Sequence, residues 1–122
     1  MSFAETCPCG SGRPYPSCCG ALHSGARLAE TPEELMRSRY SAFAKGDVDY
    51  LARTWHPRTR PADLALDDST MWTRLEILEA AGDEVAFVAH FTTADGPGRL
   101  EERSRFARRG GRWVYVDGDV AG

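Results

Sequence analysis

The sequence predicts an α+β domain, with helices packed on one face of an antiparallel sheet, preceded by a short cysteine-rich knuckle. Three observations predict it. All four cysteines of the chain lie between Cys7 and Cys19. Two capped segments of helical period follow, between Thr31 and Pro57. From Trp72 onward the apolar residues recur at every second position instead.

The knuckle comes first. The stretch "CPCGSGRPYPSCCG", Cys7 to Gly20, spaces its cysteines C-x-C-x8-C-C. Either disulfides or a metal could gather cysteines so closely. Cys18 and Cys19 are adjacent, and Cys7 and Cys9 are one residue apart, which makes disulfide geometry awkward. The N-terminal "MSFAETCPC" has neither a basic segment nor an apolar signal core, so the expected compartment is the cytoplasm, where disulfides are disfavoured. Tetrahedral zinc (Zn2+) needs four soft ligands at one point, and two close pairs joined by a short loop deliver them. A segment this short buries little apolar area, so it needs the ion to stay folded. Gly10, Ser11 and Gly12 permit a tight turn whose backbone N–H groups can donate to thiolates. The expected metal ligands are therefore Cys7, Cys9, Cys18 and Cys19. Iron in place of zinc stays open, as do free reactive thiols. The Gly-Ser-Gly is not a phosphate loop, because the full G-x-G-x-x-G is missing and Pro14 and Pro16 prevent a helix from starting after it.

This stretch resembles the SEC-C zinc motif, known from the C-terminal tail of the SecA preprotein translocase ATPase. It is also similar to the N-terminus of the YchJ-like family of bacterial proteins. C-P-C-G-S-G, then Tyr15, then Cys-Cys-Gly match in order. The resemblance implies that the same four cysteines are the ligands, with Cys19 where the SecA version usually has histidine. In the SecA tail, lysines around the tyrosine meet the acidic chaperone SecB. Here those places read Arg13, Pro14, Pro16 and Ser17, which removes most of that electrostatic attraction.

"HSGARLAE", His23 to Glu30, reads as a polar linker with a solvent-exposed histidine, since four thiolates already satisfy zinc. Next is a well-marked helix. Thr31 is its N-cap, Pro32 lies in the first turn, Glu34 completes a capping box and Gly46 stops it. Leu35, Met36, Tyr40, Phe43 and Ala44 form its apolar stripe, flanked by Arg37 and Arg39, which are expected in solvent. Asp47 caps a second helix running through Tyr50, Leu51 and Trp55, ended by His56-Pro57. "PRTRPADLALDD" is expected to be loop with one helical turn. The expected strands are Trp72–Ala80, Glu84–Thr93, Arg99–Arg108 and Arg112–Asp117, with turns at Gly82-Asp83, Asp95–Gly98 and Gly110-Gly111. The domain organisation is thus a metal motif over 1–22, a linker over 23–30 and an α+β domain over 31–122.

This second part also resembles the YchJ-like family, in "LMRSRYSAF", in Thr54-Trp55 and in "RWVYVDG". The family's domain is nuclear transport factor 2-like, within the cystatin-like cone superfamily. That implies helices packed into a strongly curved antiparallel sheet, with a pocket at the wide end.

Alternation sorts the residues of that sheet. Arg99, Glu101, Arg103 and Arg105 share one face, and Leu100, Glu102, Ser104 and Phe106 share the other. Val85, Phe87, Ala89 and Phe91 point inward on the preceding strand, which leaves His90 outside. Glu102 and Ser104 are candidates for the pocket, together with Tyr40, Trp55 and His56. A buried carboxylate needs a partner, and for Glu102 a buried arginine (Arg37 or Arg39 if the helix packs that way), a hydroxyl or a backbone donor is expected. No Asp–His couple, nucleophile elbow or paired acids imply a reaction.

The expected function is a non-enzymatic zinc-binding adaptor that contacts a protein or ribonucleoprotein partner, because four cysteines close the metal to substrate. The competing reading is a small-molecule binder or enzyme using the cone pocket around Glu102. The basic strip Arg99, Arg103, Arg105, Arg108, Arg109 and Arg112 raises nucleic acid as a third possibility. Glu101 interrupts it, and a net charge of -3 opposes it. No apolar run is long enough for membrane insertion. Pairing of two copies through the sheet is left open.

Overall fold

The computed structural model describes residues 5–66 and 69–120. A 3-10 turn at Tyr15–Ser17 leads into α1 (Cys19–His23), followed by α2 (Pro32–Lys45) and α3 (Val48–Arg53). Four strands then form an antiparallel meander in the order β1 (Met71–Ala81), β2 (Glu84–Thr93), β3 (Gly96–Arg109) and β4 (Arg112–Val120). The α+β class is as the sequence pattern predicts, and the curved sheet is as the family resemblance implies.

The helix ends follow from local chemistry. Thr31 Oγ1 accepts from the Glu34 N–H at 3.1 Å, and Gly46 takes a φ of 75° to close α2. The Glu34 carboxylate reaches past the N-cap to the Glu30 N–H at 2.8 Å. Asp47 Oδ1 caps α3 by accepting from the Tyr50 N–H at 3.0 Å. Helix α3 stops short of Trp55. Thr54 Oγ1 donates to the Tyr50 carbonyl at 2.7 Å, and the chain beyond turns to pair with β4 through Tyr115 N–H to Thr54 O and His56 N–H to Tyr115 O. The loop expected after Pro57 makes turns and no helix among its described residues, and its Asp67 and Asp68 lie outside them.

The β2–β3 turn is tighter than expected. Thr93 already pairs with Gly96, so Gly98 lies inside β3 opposite Phe91. A methyl on Gly98 would come within 2.7 Å of the Phe91 ring, which explains the glycine. Register shifts between Trp72 and Arg74, Ile77 and Glu79, and Arg105 and Phe106 are bulges that bend the sheet around the helices.

The concave face packs Leu75, Val85, Phe87, Ala89 and Phe106 against Leu35, Met36 and Tyr40 of α2. A second cluster joins Leu22 of α1 to Ala42, Tyr50 and Leu51. On the convex face charges pair with one another. Arg103 meets Glu79 and Glu84, Arg105 meets Asp117 and Asp119, and Glu76 meets Arg74 and His90. Half of the basic strip is therefore neutralised in place, since Arg99 also meets Glu101. No helix among the described residues is long and apolar enough to cross a membrane.

Two sequence-based expectations are corrected. Arg39 is buried at 3 % exposure, not solvated, because the chain after α3 folds back over it. His23 is buried as the last residue of α1, not exposed in a linker. The division drawn between residues 22 and 23 falls inside that helix.

Candidate metal centre and cavity

The knuckle begins as a small hairpin. Cys7 N–H donates to Arg13 O and Tyr15 N–H to Glu5 O, with Gly10 and Gly12 at φ 85° and 82° making the turn between them. The 3-10 turn then carries the chain to Cys18, and Cys19 opens α1. Gly20 follows because the Tyr15 carbonyl lies where a side chain would begin, 2.6 Å from its Cβ position. The result brings the four Sγ atoms within 4.8 Å of one another, all of them buried.

This donor set fits a tetrahedral ion. Cys9 Sγ and Cys18 Sγ are 3.7 Å apart, against an edge of about 3.8 Å for a tetrahedron with 2.3 Å metal–sulfur bonds. Hydroxyls stand behind the sulfurs, with Ser11 Oγ 3.1 Å from Cys18 Sγ and Ser41 Oγ 3.5 Å from Cys7 Sγ. The Cys19 hydrogen bond and the Ser11 donors hold the Cys9 thiol down at about 4. The same Cys9–Cys19 contact, with burial, pushes Cys19 far up, and burial raises Cys18. A bound cation is what would let sulfurs this close together ionise side by side. The four cysteines can hold a metal ion.

The knuckle is docked on α2. Arg37 donates to Cys9 O at 2.8 Å and pairs with Glu33, while Lys45 sits 4.2 Å over the Tyr15 ring and pairs with Glu5. His23 Nε2 lies 2.8 Å from Ser38 O, so it carries the proton, and Nδ1 accepts from Tyr15 OH at 2.6 Å. With both nitrogens engaged, His23 is no fifth ligand. Its place four residues after Cys19, on the same face of a helix, is the signal the linker reading overlooked.

The opposite face of α2 roofs a cavity of about 270 Å³. Met36, Arg39, Tyr40 and Phe43 line it from the helix, Trp55 from the segment after α3, and Trp72, Phe87, Ala89, Leu100, Glu102, Ser104 and Tyr115 from the sheet. Of the five sequence candidates, Tyr40, Trp55, Glu102 and Ser104 line the cavity. His56 does not; its Nδ1 accepts from the Arg58 N–H at 3.1 Å.

Glu102 does not pair directly with either arginine proposed for it. Its Oε2 accepts from Ser104 Oγ at 2.6 Å and from Tyr115 OH at 3.4 Å. The carboxylate lies over Gly118 of β4, where a methyl would overlap it. Gly118→Ala should therefore displace Glu102 and destabilise the fold by about 1–3 kcal/mol, as overpacking does. Urea unfolding measures this, and an unchanged midpoint would refute the crowding.

Arg39, considered in the sequence only as a partner for Glu102, is itself a cavity residue. Its Nη1 donates to Leu51 O at 3.0 Å and Thr54 Oγ1 at 2.7 Å, and its guanidinium carbon lies 4.9 and 4.6 Å from the Trp55 and Tyr115 ring centres. Burial pulls it down to about 10. The signal was its spacing, three residues after Met36 and four before Phe43 on the inward stripe.

Comparison with known proteins gives two family matches. Residues 31–118 match the family model "YchJ, middle NTF2-like domain", and residues 4–21 match the SEC-C motif. A UPF0225 protein of Deinococcus radiodurans is 56% identical over 114 residues, covering 93% of this chain and 88% of its own. One from Streptomyces coelicolor is 54% identical over 117 residues, covering 93% and 94%. Among solved structures, a SEC-C motif containing protein from Rhodopseudomonas palustris superposes with a TM-score of 0.82 at 34% identity, over 97% of this chain and 100% of that one. A second, from Psychrobacter arcticus, gives 0.75 at 26% identity over 97% and 84%. Carrying both the SEC-C motif and the NTF2-like domain, and matching these relatives over nearly its whole length, the chain belongs to the YchJ-like UPF0225 family.

Proposed function

We propose that this protein is a cytoplasmic zinc-binding module that acts by binding, with no chemistry at its metal. The convergence of four buried thiol sulfurs within 4.8 Å carries the proposal. Four thiolates leave a tetrahedral ion no open position, so the ion shapes the chain and does not meet substrate. An all-sulfur set favours zinc over hard cations, and the reducing cytoplasm keeps free cysteines available to it. The exposed loop from Gly12 to Ser17 is then a rigid surface held from beneath by the ion. We assign to that surface the contact with a protein or ribonucleoprotein partner. The self-paired charges of the convex sheet support this over a bare nucleic-acid ligand.

Metal analysis of protein purified without chelator should give one zinc per chain, and cobalt exchanged into the site should show the absorption of tetrahedral thiolate coordination. Iron at equal stoichiometry, or metal-free protein with an equally ordered knuckle, would sink the proposal.

The cavity supports a second reading, a small-molecule site within the cone. Its volume lies just below the range of about 300–1,000 Å³ usual for ligand pockets, which suits a compact ligand. Glu102 has hydroxyl donors beside it and no base, so this reading too is one of recognition.

A further inference from the structure

The cavity is lined mostly by rings and hydrocarbon. Tyr40 and Phe43 both meet the Trp72 ring, and the three offer only ring and hydrocarbon surface apart from two polar ring edges. Arg39 and Glu102 line the same small space, one cation and one anion, with Tyr115 in contact with both. Among the described residues no carboxylate lies within 4 Å of the Arg39 guanidinium, although the Glu102 charge is felt there. The Glu102 carboxylate is instead turned to Ser104 and Tyr115.

These groups constrain what can enter. A simple carboxylate would satisfy Arg39 while meeting the repulsion of Glu102. A simple amine would pair with Glu102 and be repelled by Arg39. A molecule carrying both charges avoids either penalty, and an apolar body meets the rings that line the cavity. We propose that the cavity receives a small zwitterion with an apolar body, the chemical class of the aromatic and branched amino acids. Its carboxylate faces Arg39, and its ammonium faces Glu102.

The inference rests on the second reading above, that the cavity is a ligand site, and the test separates the two. The full metal-loaded chain is titrated with phenylalanine, leucine, 3-phenylpropionate and phenethylamine. Tryptophan fluorescence and the Trp55 indole N–H resonance report binding, since Trp55 and Trp72 both line the cavity. The expected result is that an amino acid binds and moves the Trp55 resonance, and that both singly charged probes bind at least about tenfold more weakly. Glu102→Gln should narrow the gap for phenylpropionate by removing the repulsion, a change in selectivity that a merely structural carboxylate would not produce. If the probes bind without preference, or a singly charged one binds best, the ligand class is overturned while the cavity remains a binding site. If none of the four moves the Trp55 resonance, the cavity reading falls as well.

Discussion

Cys18→Ser should cost the knuckle the zinc proposed for it and, with it, the order of residues 5–23. Serine is a poor ligand for the soft ion that an all-sulfur set selects, and three remaining thiols cannot enclose it. Structural zinc contributes about 10–16 kcal/mol to folding in zinc-finger peptides, so losing it outweighs any other single interaction in this segment. The damage should spread along α2, because Cys7 touches Ser41, Arg37 holds the Cys9 carbonyl and His23 joins Tyr15 to Ser38. The expected observation is metal below one equivalent, rapid amide exchange across the knuckle and a lower thermal midpoint. Unchanged metal content and unchanged exchange would show that Cys18 is not a ligand.

Removing residues 1–22 should destabilise the remaining domain. The cut passes through α1 and removes Leu22, which is 3 % exposed in a cluster with Ala42, Tyr50 and Leu51. Losing a leucine of this burial costs about 2–5 kcal/mol even when the backbone stays. Here the backbone goes too, and His23 loses the hydroxyl that Tyr15 donates to it. A domain has only about 5–15 kcal/mol to lose, so the truncated chain should unfold at a markedly lower temperature with weaker near-ultraviolet dichroism. If its transition remained as cooperative and as high as that of the full chain, the knuckle would be an independent unit and α1 dispensable.

What could be read from the sequence was what short-range chemistry decides. Thr31, Asp47 and Gly46 bound their helices because a cap is made by residues three apart or by one backbone angle. The cysteine spacing implied a convergent donor set because the loop between the pairs is too short to separate them. Strand positions followed from alternation, to within a residue or two at most ends and three at the start of β3 and the end of β4. What was not legible depends on neighbours distant in the chain. Gly98 reads as a turn residue until the Phe91 ring is found lying over it. Arg39 looks solvated until Trp55 and Tyr115 close around it. The partner of Glu102 could not be chosen from sequence, because Tyr115 reaches it through a bulged register that alternation alone does not reveal.

The two faces of α2 have a thermodynamic consequence. Arg37, Ser38 and Ser41 serve the knuckle, while Met36, Arg39 and Tyr40 serve the cavity, and the two sets interleave along little more than one turn. No flexible joint separates them, so an event that shifts or stiffens this turn is felt on both sides. Whatever factor a metal in the knuckle contributes to the binding of the proposed cavity ligand, that ligand must return to the metal, because linkage is reciprocal. A chelator titration read with and without a cavity ligand would express that factor as a displacement of its midpoint.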